Sequence, residues 1–129
     1  MYDMVNLYEC VQYIRELVKE KGFEDECTDK VLFGKGLFAI MELSEAMEII
    51  KKHGVETLKV SKHAREEVQE ELIDSIFYLL DLYGILQRDI PLEVPDKVFM
   101  DKLKKNKQRN FQYGRPELVQ YKSEKNDIK

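Results

Sequence analysis

Helical periodicity runs through most of this chain, and few residues interrupt it. The 129 residues include only three prolines and six glycines. Apolar residues recur at helical spacing in four stretches: 3–21, 28–53, 61–86 and 95–109. Gly22 and Gly54 follow the first two stretches and are typical helix ends. We therefore expect an all-α fold, with residues 54–62 as a connector that includes a short extended piece.

Composition and charge narrow the classes of protein further. Charged residues make up 36% of the chain, but the net charge is only −4, so no overall basic field points to nucleic acid. No apolar run is long enough to cross a bilayer, and residues 1–10 lack the features of a signal peptide. Cys10 and Cys27 are isolated, which fits a reducing cytoplasm. We predict a cytoplasmic protein without nucleic-acid or membrane partners.

The length of the chain suits a single domain with one hydrophobic core. We expect this domain to cover residues 1–116. Residues 117–129 are polar and lack a clear period, which predicts a flexible tail.

Two acidic pairs carry the strongest chemical signal in the sequence. Glu42 and Glu45 lie in the second predicted helix, and Glu71 and Asp74 lie in the third. The i, i+3 spacing places both carboxylates of a pair on one side of a helix, one turn apart. Four carboxylates that converge at one point repel each other unless a hard cation lies between them, and Mg²⁺ is the usual one. The pairs therefore predict a magnesium site.

The surroundings of the two pairs differ. Glu42 lies on a stripe with Phe38 and Ile49, inside an apolar surface, where an unpaired carboxylate is costly. Glu71 and Asp74 lie opposite the apolar face of their helix. They can enter a site only if that helix is covered on two sides, by the second helix and by another element or subunit.

Other kinds of site fit the sequence less well. A ferritin-like di-iron site needs Glu-x-x-His, and neither His53 nor His63 has a Glu three residues before it. Zinc-ligand spacing and a serine nucleophile elbow are missing too. Gly34-Lys35-Gly36 lacks the spacing of a phosphate loop, although Lys35 could still face a ligand. Tyr78 or Tyr113 could stack on a base.

The two acidic pairs and a later basic motif resemble those of the MazG-like all-α nucleoside triphosphate pyrophosphohydrolases. That superfamily is marked by ExxE, a spacer and then ExxD, often followed by a KLxxN-type motif. The matching segments here are Glu42-Leu43-Ser44-Glu45, Glu70-Glu71-Leu72-Ile73-Asp74, Lys102-Leu103-Lys104-Lys105-Asn106, Arg109 and Tyr113-Gly114. The resemblance extends over residues 28–115.

This resemblance implies a fold, a cofactor and a reaction. The fold is a four-helix bundle, completed by dimerisation or tetramerisation. Mg²⁺ binds the four motif acids, Glu42, Glu45, Glu71 and Asp74, which are then both the metal-binding and the catalytic residues. The reaction cleaves a nucleoside triphosphate between the α and β phosphates, giving a monophosphate and pyrophosphate. The residues implied in phosphate binding are Lys102, Lys105, Asn106 and Arg109.

Two departures from the family pattern leave the substrate open. Some members carry a Lys one turn before the second acidic pair, where this chain has Glu67, and the spacer between the pairs is long. A phosphoribosyl-ATP, a dUTP- or dCTP-like pyrimidine nucleotide or a damaged nucleotide fits the same fold. A different class also stays open, a non-catalytic helical interaction protein whose acids are surface charge.

Overall fold

A computed structural model describes residues 4–109 of the chain. These residues form four α-helices and no strand: α1 Leu7–Lys21, α2 Asp29–Val60, α3 Lys62–Asp89 and α4 Pro95–Lys107. The predicted all-α class is confirmed. No helix in this part of the chain combines the length and the apolar character that a bilayer-spanning segment needs.

Side-chain caps fix where the first three helices begin. The side-chain oxygens of Asn6, Thr28 and Ser61 accept hydrogen bonds from backbone N–H groups in the first turns of α1, α2 and α3. Each cap satisfies one of the donors that a helix start leaves without a partner. Gly22 ends α1 in the left-handed region, with φ of 68°, as the sequence predicted.

The helical path breaks at Gly54, as the sequence predicts, but the predicted connector over residues 54–62 is wrong, because the chain after the glycine is helical. Gly54 adopts φ of 77° and ψ of 162°, which kinks the helix, but the chain then resumes helical geometry as far as Val60. Glu56, Leu58 and Lys59 are good helix formers, and they favour helical geometry for the segment after the kink. Ser61 alone separates α2 from α3, and Gly34 and Gly36 leave α2 unbroken.

In the first three helices, α3 packs against both α2 and α1. Small residues let α2 and α3 approach closely. Ala39 and Ala46 of α2 are buried, and Ser75 of α3 donates a hydrogen bond to the Ala39 carbonyl at 2.8 Å. The buried apolar residues of the described chain are Val11, Ile14, Val18, Val31, Ala39, Ala46, Ala64 and Ile85.

The described chain divides into two units, the first ending at Glu93 and the second beginning at Val94. The first unit contains α1, α2 and α3. The second contains α4, which starts at Pro95, a residue suited to the first turn of a helix. The predicted domain end at residue 116 and the predicted tail over 117–129 lie outside the described residues and stay predictions, as does the bundle type.

Candidate functional site

Three of the four predicted metal ligands form one acidic cluster, which consists of Glu42, Glu45 and Glu71. One carboxylate oxygen from each residue lies within 4.8 Å of the others. Glu42 and Glu45 come from neighbouring turns of α2, and Glu71 faces them from α3. The i, i+3 spacing on α2 and the close approach of α3 at its small residues together produce this convergence.

One oxygen in the acidic cluster is buried without a donor. Glu71 Oε2 is shielded from solvent and has no hydrogen-bond partner. Glu42 and Glu71 are half-buried and Glu45 is exposed. Within the described residues, none of the three forms an ion pair with Lys, Arg or His. Burying an acceptor without a donor costs free energy, so a cation or a proton is needed here.

The closeness of the three carboxyl groups raises the pKa of two of them, Glu45 and Glu71. The pKa of Glu71 is raised mainly by a hydrogen bond shared with Glu42, then by burial and the negative charge of its neighbours. The pKa of Glu45 is raised by the corresponding hydrogen bond and charge of Glu71. Ionised carboxylates can only accept hydrogen bonds, so a shared proton supplies the donor that the cluster otherwise lacks. A divalent cation would do the same with more charge.

Asp74, the fourth predicted ligand, lies outside the acidic cluster. Its side chain is exposed, and it lines a groove that Glu42 also lines. The structure therefore brings three predicted acids together and leaves Asp74 at the edge of the adjoining groove.

The inward side of the third helix carries polar side chains beside the buried apolar residues Ala64 and Ile85. Ser75 and Asp81 are buried against the neighbouring helices and Glu71 is half-buried. The aliphatic residues of the opposite face, which we call the α3 apolar face, are all exposed: Leu72, Ile73, Ile76 and Leu79. Within the first unit, neighbouring helices thus cover one side of α3. The sequence argument required two covered sides for Glu71 and Asp74 to enter a site.

The groove beside the acidic cluster has a volume of about 580 Å³ and lies among α1, α2 and α3. Glu42 and Asp74 line one end. The rings of Phe38 and Tyr78 are tilted against each other, with centroids 5.3 Å apart. Lys35 also lines this groove. An apolar cleft with a few charged groups is the usual form of a small-molecule site.

A buried ion network supports the groove, and sequence reasoning missed it. Asp81 is 3% exposed, and its two oxygens accept from Arg15 Nη1 and Lys35 Nζ, both at 2.9 Å. Arg15 also contacts Asp25 at 2.9 Å. Gly84 gives the Arg15 side chain room, because a Cβ built there would lie 2.5 Å from Arg15 Cδ. The sequence offered one sign of this close approach, a glycine within an otherwise apolar helical pattern.

A smaller cavity of about 270 Å³ adjoins the acidic cluster at Glu45 and Glu71. Lys52 and His53 line it, just before the kink at Gly54. The sequence predicted His53 as a surface residue at a helix end, and its side chain is half-buried there. Lys52 and His53 line this cavity together with Glu45 and Glu71, as Lys35 lines the groove together with Glu42.

The predicted phosphate-binding residues belong to the second unit. Lys102, Lys105 and Asn106 are exposed on α4, and Arg109 follows the helix. Their contact with a substrate held by the acidic cluster stays a prediction. Tyr113-Gly114 lies outside the described residues.

Comparison of the chain with protein-family models, with curated proteins and with solved structures gives no match. Function has to be inferred from the residues and their geometry.

Proposed function

We propose that this protein is a Mg²⁺-dependent nucleoside triphosphate pyrophosphohydrolase, which releases a nucleoside monophosphate and pyrophosphate. The observation that carries the proposal is Glu71 Oε2, buried without a donor beside the carboxylates of Glu42 and Glu45. The resemblance of the two acidic motifs to those of the MazG-like superfamily supports the same reaction.

The donor set of the acidic cluster fits Mg²⁺. Carboxylate oxygens are hard ligands, and Mg²⁺ is commonly held by a few carboxylates together with substrate phosphates. The residues that would hold the ion are Glu42, Glu45 and Glu71, with Asp74 beside them at the groove. When bound, Mg²⁺ supplies a Lewis acid for phosphate oxygens and lowers the pKa of water.

The two cavities suggest how a triphosphate would lie. The groove meets the acidic cluster at Glu42, and the smaller cavity meets it at Glu45 and Glu71. We place the nucleoside in the groove and the β and γ phosphates in the smaller cavity, so that the bond to be cleaved lies beside the acidic cluster. Lys52 and His53 would then stabilise charge on the departing pyrophosphate.

Glu45 is the acid we assign to proton transfer. It is the exposed member of the acidic cluster, so water can reach it, and a carboxylate within hydrogen-bond reach of a water can accept its proton. Lys102, Lys105, Asn106 and Arg109 of the second unit remain the further phosphate contacts that the family resemblance implies.

Self-association belongs to this proposal. The α3 apolar face exposes four aliphatic side chains, and Phe33, Leu37 and Ile40 of α2 are exposed as well. Several large apolar side chains exposed on one helix face are typical of an interface. We propose that a homodimer or homotetramer covers it and completes a four-helix bundle.

The test is a panel of ribo- and deoxyribonucleoside triphosphates, and phosphoribosyl-ATP, incubated with Mg²⁺ and scored separately for pyrophosphate and orthophosphate. We expect pyrophosphate. Glu71→Gln should lower its release by at least a hundredfold, while Glu70→Gln, an exposed neighbour on the same helix, should not. Circular dichroism should show equal helicity in both variants.

Two results would contradict the proposal: orthophosphate as the product, or equal turnover in Glu71→Gln and the unmodified protein. The exposed apolar surface also favours a second candidate, a non-catalytic interaction protein. That candidate predicts no turnover on any nucleotide and no rise in melting temperature with Mg²⁺.

A further inference from the structure

A buried cation lines the groove two turns of α2 away from Glu42. Lys35 is only 8% exposed, although it is a lysine, and it lines the groove. Its Nζ lies 2.9 Å from Asp81 Oδ2. An ammonium carries three N–H donors, and one carboxylate oxygen occupies one of them. Lys35 therefore has donors left for a molecule in the groove.

On both α2 and α3, two charged side chains that line the groove lie two turns apart. On α2, Lys35 lies two turns from Glu42, or ~10 Å along the axis. On α3, Asp81 lies two turns from Asp74, the same rise. Between the acidic end and the Lys35–Asp81 end, Phe38 and Tyr78 place their rings side by side. This spacing is about the length of a nucleoside measured from its 5′ oxygen to the far edge of its base.

At the Lys35–Asp81 pair the groove offers donors rather than acceptors, and Glu24, a further carboxylate in the groove lining, is exposed. Each Asp81 oxygen already accepts from a cation, one from Arg15 and the other from Lys35, and the carboxylate is almost completely buried. A ligand that meets Lys35 must supply an acceptor. Uracil, thymine and guanine carry a carbonyl on the base edge away from the sugar, whereas cytosine and adenine carry an amino group there.

We propose that the groove is the nucleoside subsite and that Lys35 selects bases with a carbonyl on that edge over bases with an amino group. This inference rests on the proposed nucleotide-hydrolysing function for its choice of ligand. Phe38 and Tyr78 supply the apolar wall against which the sugar and base pack. An amino group at the far edge would face a second set of donors and leave the Lys35 N–H groups unpaired in a desolvated place.

Free nucleosides test the subsite without metal and without phosphate. Their dissociation constants can be measured by saturation-transfer NMR on the unmodified, metal-free protein. We expect deoxyuridine to bind about tenfold more tightly than the 2-pyrimidinone deoxynucleoside, which lacks the C4 oxygen; that factor corresponds to ~1.4 kcal/mol. Deoxycytidine should bind as weakly as the analogue, and deoxyguanosine more tightly than deoxyadenosine.

A lysine variant and its matched control complete the test. Lys35→Met keeps an unbranched side chain and should bring the deoxyuridine and analogue dissociation constants together. Lys51→Met, at an exposed position on the same helix, should keep the tenfold difference. The comparison of two nucleosides on the unmodified protein stands even if Lys35→Met does not fold.

The outcomes separate this inference from the proposed function. Equal binding of deoxyuridine and its analogue, a preference for deoxycytidine or deoxyadenosine, or no nucleoside binding at all would overturn the subsite. Those results would leave Mg²⁺-dependent pyrophosphate release untouched. A carbonyl preference in a protein that releases no pyrophosphate would instead overturn the proposed function and leave the subsite standing.

Discussion

Replacing Asp81 by Asn should remove the charge that holds two helices to α3. The Asp81 side chain is 4% exposed, and it pairs at 2.9 Å with Arg15 of α1 and with Lys35 of α2. The amide of Asn keeps the volume and one acceptor but loses the negative charge. The substitution therefore tests the ion network with little change in packing.

The loss of unfolding free energy depends on which ion pairs Arg15 and Lys35 keep in the variant. Breaking a buried ion pair by removing one partner costs roughly 3–5 kcal/mol, because the other charge stays buried without compensation. Arg15 keeps its contact with Asp25 at 2.9 Å, which moderates the loss. Lys35 has no second ion pair within the described residues. We therefore expect the low end, ~3 kcal/mol, and a melting temperature lower by about 15 °C for a unit of this size.

Urea unfolding followed by circular dichroism would measure the loss, with the protein concentration fixed because self-association shifts apparent stability. The matched control is Glu56→Gln, which breaks the ion pair between Glu56 and Lys59. The two atoms lie 3.1 Å apart, and the Glu56 side chain is 87% exposed. That variant should lose less than about 0.5 kcal/mol. The double variant of Asp81→Asn with Lys35→Met should recover part of the stability, since it removes the orphaned charge.

A loss below about 1 kcal/mol in Asp81→Asn, the range of an exposed pair, would refute this account. Lys35 would then be solvated in solution, and the case for it as a desolvated donor in the groove would fail as well.

Two further predictions concern the acidic cluster and the helix contact. The pKa values of Glu45 and Glu71 are raised, so the folded state binds protons more tightly than the unfolded state does. The stability of the metal-free protein should therefore fall as the pH rises from the ordinary carboxyl value through the raised values. Glu45→Gln should flatten that fall in a series of melting temperatures against pH, and an unchanged slope would contradict the shared proton. Gly84→Ala should cost about 1–3 kcal/mol by displacing Arg15, whereas Gly36→Ala, with open space at its Cβ, should stabilise by about 0.5–1 kcal/mol. Equal unfolding free energies for these two glycine variants would contradict the close approach at Gly84.

Local sequence signals account for most helix boundaries. Gly22, Ser61 and Pro95 each have a conformational or capping reason to lie at a helix end, and the structure has them there. Gly54 gave the same kind of signal and does interrupt α2, but the expected connector did not follow, because the helix resumes after it. A positive φ at a glycine bends the chain, but the residues after it decide whether the helix resumes, and that competition is too close to read from the sequence.

The candidate site also has one part that the sequence predicts and one part that it does not. The acidic cluster could be predicted because i, i+3 spacing acts within one helix and the second motif needs only one neighbouring helix. The network of Arg15, Lys35 and Asp81 could not, since it joins three helices and depends on which faces meet. Lys35 stands out only for the glycine on either side of it, and Asp81 has no unusual neighbour in the sequence. Only the packing of α1 and α2 on the same side of α3 reveals the pair.

The orientation of α3 links the site to the outer surface of the unit. A helix normally turns its aliphatic face inward, because burial of apolar area contributes about 25 cal/mol per Å². Here the inner face carries Glu71, Ser75 and Asp81 beside the buried Ala64 and Ile85, and the α3 apolar face is left to solvent. The polar residues of this face are held by the ion pairs of Asp81 and the hydrogen bond of Ser75, and the acidic cluster needs a cation or a proton. In the proposed homo-oligomer, burial of the α3 apolar face would add the stabilisation that this face does not gain within the first unit. A second subunit on that face would then hold the acids of α3 against those of α2.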